Sequence, residues 1–410
     1  MRFSLRIVLL SASLVVIAAF LRVPLARTAP PVLDWQGRRQ TLQQIQAHAQ
    51  PSAALAGLAA DLISAASSES STAGITNWQT WCDRDNISGC GCVDPDPLVC
   101  RSAAGLSPTG SHKALDPRYL DGIPVSSMLL SVPASIPGTM RVRPGKKITP
   151  TLTLDLHETV HINPRLRSQI HSISAPIPPA WDNEAITAKA RWAVFLLSAD
   201  CLVLPVWSGA TDPPNDAVDF ASWTKKVAVV RTLSGKPRDC GDWHGLEEVS
   251  LSMFYHRPAL SGNQMMLEPP QGQANADALL VGLHMASNEV TNWFWMTAWW
   301  SPGSTGTRPT GAPWSNYTIN ADISVPAPVA TPVYPTLSGN PIFNPYIEGN
   351  LPVEACSKCG GVKTDCISCH SHAAFTASGG EASKPTDPGF GTPQFSLNFV
   401  WSAAHFSRKP

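Results

Sequence analysis

The stretch ADALLVGLHMASNEVTNWFWMTAWW, residues 276–300, decides the fold class. In an extended strand, Trp293, Trp295, Thr297 and Trp299 share one face, and Phe294, Met296, Ala298 and Trp300 share the other. Both faces are mostly apolar, so the strand is expected to be covered on both sides. The run before it, ALLVGLHM (278–285), puts His284 and Met285 on opposite faces.

Working outward, the same kind of run recurs from about residue 120 onward. KARWAVFL (189–196), CLVLPVW (201–207), KKVAVVRTL (225–233) and EVSLSMFYH (248–256) are short, β-prone and bounded by Pro, Gly, Asn and Asp. No helical period separates them. This pattern predicts a mainly β domain, sandwich-like and stabilised by disulfides, over residues 76–340. A loop-rich segment, 341–410, follows it. Residues 301–350 are rich in Pro, Gly and Asn and read as long loops. Proline totals 38 in 410 residues, well above the roughly 5% of average usage, which disfavours long helices.

Ahead of the β domain, residues 30–75 read as a helical and flexible segment. Leu42, Ile45, Leu55, Leu58, Leu62 and Ile63 recur at three- and four-residue spacings, giving one or two helices broken at Pro51. SSESSTAG (67–74) reads as a joint. Residues 1–29 read as a signal peptide or an N-terminal membrane anchor. Arg2 and Arg6 precede an apolar run from Ile7 to Leu21, shorter than the roughly 20 residues of a full span. The expected location is periplasmic, free or attached to the inner membrane. Formal net charge is zero, so no nucleic-acid partner is indicated.

Export gives the ten cysteines a context. EACSKCGGVKTDCISCHSHAAF (354–375) contains Cys366-Ile-Ser-Cys369-His370, the C-x-x-C-H pattern of covalent haem attachment. Two thiols three positions apart reach the two vinyl groups on one edge of the macrocycle. The adjacent histidine then turns its imidazole under the iron. His370 is thus the expected proximal ligand and haem c the expected cofactor. Eight cysteines remain, an even number that suits disulfides in an oxidising compartment. Cys82, Cys90, Cys92 and Cys100 form a tight cluster. Pairing Cys201 with Cys240, and Cys356 with Cys359, is one arrangement among the 105 that eight thiols allow.

Other residues compete for attention. Cys356, Cys359, Cys366 and Cys369 also spell C-x-x-C-x6-C-x-x-C, a zinc-like set with a gap shorter than a zinc ribbon's. His157-Glu158-Thr159-Val160-His161 matches H-E-x-x-H literally, but TLTLDL before it and Asn163-Pro164 after it read as β rather than helix. For a second axial ligand to a haem, His284 leads, with His256 and Met296 behind it. His372 stands too near His370 to reach the opposite side. Asn316-Tyr317-Thr318 is formally a glycosylation acceptor, a motif short enough to recur by chance.

Several of these segments together resemble a family of exported bacterial cytochrome c proteins. The resemblance rests on EAITAKARWAVF, EVSLSMFYH, residues 276–300, NPIFNPYIEGNLP (340–352), CISCHSHA (366–373) and LNFVWSAAHFS (397–407), with NWQTWC (77–82) fitting more weakly. It implies a covalent haem at Cys366, Cys369 and His370, and it singles out His284 in the shared leucine-histidine run. The chain departs from the pattern at Trp299-Trp300-Ser301, where relatives often have an acidic residue and a histidine. CSKC and HETVH are not family features. The expected function is one-electron transfer with an unnamed redox protein as donor or acceptor. An enzyme with an open distal haem site, and a zinc-binding or other β-domain binding protein, are the alternatives.

Overall fold

The computed structural model describes residues 33–49, 53–68, 77–80, 82–83, 154, 156–170, 181–207, 223, 225–260, 275–303, 307–309, 311, 313–323, 342, 344–347, 370, 374–375 and 395–396. The expected export segment 1–29 lies outside these residues. So do Cys90, Cys92, Cys100, Cys356, Cys359, Cys366, Cys369 and His372.

The helical N-terminal segment forms two helices, α1 (Trp35–His48) and α2 (Ala54–Ala66), on either side of Pro51. Asp34 caps α1, accepting from the backbone N–H of Gly37 at 2.9 Å. Ala49 ends it in a left-handed conformation, φ 48°. Leu42, Leu55, Leu62 and Ile63 are buried in the same core as the β-strands, and the short α3 (Asn77–Thr80) adds the buried Trp78.

Strands β1 (Cys82–Asp83) and β2 (Leu156–Ile162) come next, and β2 runs into α4 (Pro164–Ile170). Asn163 makes that junction. Its Oδ1 accepts from Leu166 N at 3.0 Å and from Ile186 N at 2.9 Å, while Pro164 occupies the first helical position, where no N–H is needed. The remaining strands are β3 (Ile186–Leu196), β4 (Leu202–Val206), β5 (Lys225–Val230), β6 (Arg238–Cys240), β7 (Trp243–Ser250), β8 (His256–Leu260), β9 (Asn275–Ser287), β10 (Phe294–Trp300), β11 (Tyr317–Ile323), β12 (Ala374–Phe375) and β13 (Phe395–Ser396).

These strands make a mainly β fold with two principal sheets. The larger is ordered β1-β2-β3-β9-β10-β11, with β8 pairing on β9. The smaller is ordered β4-β5-β7-β6, with β5 and β7 parallel. Strands β12 and β13 pair separately. Arg231, just past β5, ties the two sheets together. It lies over the Phe195 ring at 3.9 Å, pairs with Asp277 at 3.0 Å and donates to the carbonyl of Leu196. Cys201 and Cys240 form a disulfide between the start of β4 and the end of β6. Gly241 and Gly245, both at positive φ, bend the β6–β7 hairpin on which Cys240 sits.

Two stretches differ from their sequence reading. EVSLSMFYH is not one strand. It ends β7 at Ser250, makes a 3-10 turn at Leu251–Met253 and begins β8 at His256. The Ser250 hydroxyl accepts from Ser252 N and caps that turn, which frees Phe254 to stack on Trp300 at 4.1 Å. Residues 301–350 are not loop throughout, because Tyr317–Ile323 forms β11. It alternates buried and half-buried positions from Tyr317 to Ala321 against β10, and Asp322 and Ile323 are both buried.

Candidate functional site

Register in the larger sheet sorts its side chains onto two faces. Ala188, Met285, Met296 and Ala321 are opposite one another across β3, β9, β10 and β11, and so are Ala190, Leu283, Ala298 and Ile319. This face is apolar and buried, with Trp192 stacked on Trp78 and its indole N–H donated to Thr159. The other face carries the polar groups. One row reads Lys189, His284, Thr297, Asn320, and the rows beside it read Thr187, Ala286, Trp295, Asp322 and Arg191, Gly282, Trp299, Thr318.

This polar face is buried at some positions and half-buried at others, Lys189, His284 and Asn320 among the latter. Thr297 is 0% exposed, and Arg191 and Asp322 are 1% exposed. Burying such groups is costly unless they are paired or used. Asn344 supplies part of the cover. Its Nδ2 donates to Thr297 Oγ1 at 2.8 Å and to the carbonyl of Ala298 at 3.0 Å. Gly282 makes room for it, since a Cβ there would meet Asn344 Oδ1 at 2.7 Å. Tyr346, two residues on, donates its hydroxyl to the Pro205 carbonyl of β4 and packs edge-on against Trp223. Asn344 and Tyr346 thus bridge the polar face to the smaller sheet.

His370 lies on the same face. Its ring is 4.7 Å from that of Trp295, centroid to centroid. Trp295 is fixed beneath it by donation of its indole N–H to the carbonyl of Asn292 at 2.8 Å. The turn leading into β10 takes positive φ at Asn292 and Trp293, an unfavourable conformation for a side chain as large as tryptophan. Trp295 and His284 are diagonal neighbours across β9 and β10, a separation of roughly 7–8 Å.

The other sequence candidates fall elsewhere. Met296 faces the opposite side of the sheet from Trp295 and is buried there against Met285. His256 is in register with Leu279, five residues along β9 from His284, or roughly 16 Å. Desolvation lowers its pKa, with the Asp277 carboxylate opposing the shift. HETVH lies on β2, so His157 and His161 are roughly 13 Å apart along a strand and not on successive helical turns. His161 is buried, edge-on to Trp78. Lys189, Arg191, Asn344 and Asp322 were passed over in the sequence. For the first two the signal was present, because K-A-R in KARWAVFL sets two cations on one face of a strand.

Among the described residues no group of three or more His, Cys, Asp or Glu side chains is placed to hold a metal ion, and no helix is long and apolar enough to cross a membrane. No family model, curated protein sequence or solved structure matches the chain.

Proposed function

We propose that this chain is an exported c-type cytochrome of the family it resembles, carrying one haem on Cys366 and Cys369 and transferring single electrons in the periplasm. The observation that carries the reading is the placement of His370, the histidine of CISCH, against Trp295 on the sheet face that also bears His284. The residues of that face suit the group. Trp295 and Trp299 offer aromatic surface, His284 offers an imidazole, and Lys189 and Arg191 offer positive charge towards carboxylates. Cys366 and Cys369 would hold the group covalently, and His370 would bind the iron on one side. A haem held there supplies an iron that cycles between two oxidation states. The chain's own contribution is to seat the His370 imidazole against Trp295 of a rigid strand, exclude water with Asn344 and the tryptophans, and set the charge around the site.

The test is expression in a host competent for cytochrome maturation. Haem should remain on the denatured polypeptide through acid extraction, and Cys366→Ser with Cys369→Ser should abolish it. Haem-free protein loaded with zinc would overturn the reading.

A further inference from the structure

The turn between β9 and β10 runs against the preferences of its residues. Asn292 and Trp293 both take left-handed conformations, φ 63° and 66°, and of the two only asparagine adopts them readily. Neighbouring groups hold the turn in place. Glu289 is fixed by Arg38 of α1, and Gln46 of the same helix donates to the Thr291 carbonyl at 2.9 Å. Trp293 N donates to the Val290 carbonyl at 3.0 Å, and the Trp295 indole N–H donates to the Asn292 carbonyl at 2.8 Å. Strain enforced by the surroundings in this way marks a place where geometry is used. What the turn fixes is the Trp295 ring, which is 4% exposed and has little room to change rotamer. The His370 ring meets it at 4.7 Å between centroids, with the two planes inclined by 59°.

We infer that Trp295 is the positioning residue for His370. Its indole sets the plane in which the imidazole lies, and the turn clamped by α1 sets the indole. This inference rests on the cytochrome reading, in which His370 binds the iron. Two rings this close do not rotate independently, because turning the imidazole about its Cβ–Cγ bond brings it against the indole. The plane matters to an iron that the imidazole binds. The ring's π orbital overlaps with the iron d orbital that matches its orientation, so the plane decides how the d levels split. Trp295 acts through His370 and is no ligand of the metal.

The experiment compares wild type, Trp295→Phe, Trp295→Leu and Trp300→Phe, all as full-length protein matured with haem. Trp300 is the control. It is buried in the same strand and donates its own indole N–H to the Met253 carbonyl, but it stands on the apolar face, away from His370. Haem staining on a denaturing gel reads the underlying proposal. Electron paramagnetic resonance of the frozen ferric protein reads this one, because the splitting of its g values follows the plane of the ligand in either spin state. Trp295→Phe keeps a ring but loses the bond to the Asn292 carbonyl, and it should shift and broaden the signal with haem retained. Trp295→Leu should shift it further. Trp300→Phe should lower the urea midpoint and leave the signal where it is. A haem-loaded Trp295→Leu protein with the wild-type signal overturns the inference and leaves the cytochrome reading standing. So does a Trp300→Phe signal that moves as far as that of Trp295→Phe, since any lost indole would then disturb the site. Wild-type protein without covalent haem overturns both.

Discussion

Arg38 and Glu289 form a two-pronged ion pair that is almost wholly buried, with Nε to Oε1 at 2.9 Å and Nη2 to Oε2 at 3.1 Å. It joins the first helix to the turn between β9 and β10. Ser287 donates a further bond to the same carboxylate at 2.6 Å, and Gln46 of the same helix donates to the Thr291 carbonyl. That turn leads directly into Trp293 and Trp295. The N-terminal helices therefore help hold the aromatic strand in the position where His370 meets it.

Removing one partner of this pair leaves an uncompensated buried charge. Glu289→Ala is expected to destabilise the protein by about 3–5 kcal/mol. Arg38→Met with Glu289→Leu should cost much less than either single change, because it removes both charges together. Urea unfolding of Arg38→Met, Glu289→Leu and the double variant, alongside Glu289→Ala, checks this. Equal and additive losses would mean that the pair is not coupled.

Tyr317 and Tyr346 are fully buried, and burial pushes both phenols well above the usual tyrosine range. Tyr317 donates to the Leu280 carbonyl at 2.7 Å and accepts from Tyr255 N at 3.0 Å. A group whose folded pKa is raised contributes stability that is fully present below its unfolded pKa and is lost as pH rises beyond it. The loss should therefore begin above about pH 10 and approach about 1.4 kcal/mol per pH unit for each phenol. In an alkaline absorbance titration, two of the five tyrosines should ionise only with unfolding. Tyr317→Phe should cost about 1–3 kcal/mol, since it strands a buried amide and a carbonyl.

The Cys201–Cys240 bridge closes a 39-residue separation. Chain entropy puts its contribution at about 4 kcal/mol. Cys201→Ala with Cys240→Ala should lower the urea midpoint accordingly, with the slope also changed because the unfolded chain is less constrained. A loss well under 1 kcal/mol would mean that the hairpin carrying Cys240 holds itself in place without the bridge.

Hydrophobic runs were the legible part of this fold. The strands around Arg191, Val227, Leu283 and Met296 each carry enough apolar residues to be recognised alone, and Pro51 announced the gap between the helices. The Cys201–Cys240 pair could be named in the sequence but not selected there, since proximity depends on how two hairpins fold over each other. The strand at Tyr317–Ile323 was hidden because YTINADI spends half its residues on the polar face, where Thr318, Asn320 and Asp322 look like loop. The polar face itself was obscured for the same reason. Its members come from four strands and the 344–347 segment, and only register shows that Lys189, His284 and Thr297 form one row.

That row leads to the prediction that separates a carrier from an enzyme. An iron with two strong protein ligands is low-spin and offers no vacancy, whereas an iron with an open position is high-spin and takes carbon monoxide or cyanide readily. His284 shares a face with His370, while Met296 is turned to the other side and His256 stands roughly 16 Å along the strand. If His284 supplies the second ligand, the wild-type spectrum should be six-coordinate and low-spin. His284→Ala should then convert it towards high-spin and open it to carbon monoxide, with haem still covalently attached. His284→Met should keep two protein ligands and raise the midpoint potential, because methionine ligation favours the reduced iron. A low-spin His284→Ala protein would exclude His284 and direct the search to other residues on the polar face. A wild-type protein that is already high-spin and quick to bind carbon monoxide would replace the electron carrier with an oxidoreductase whose distal site is open.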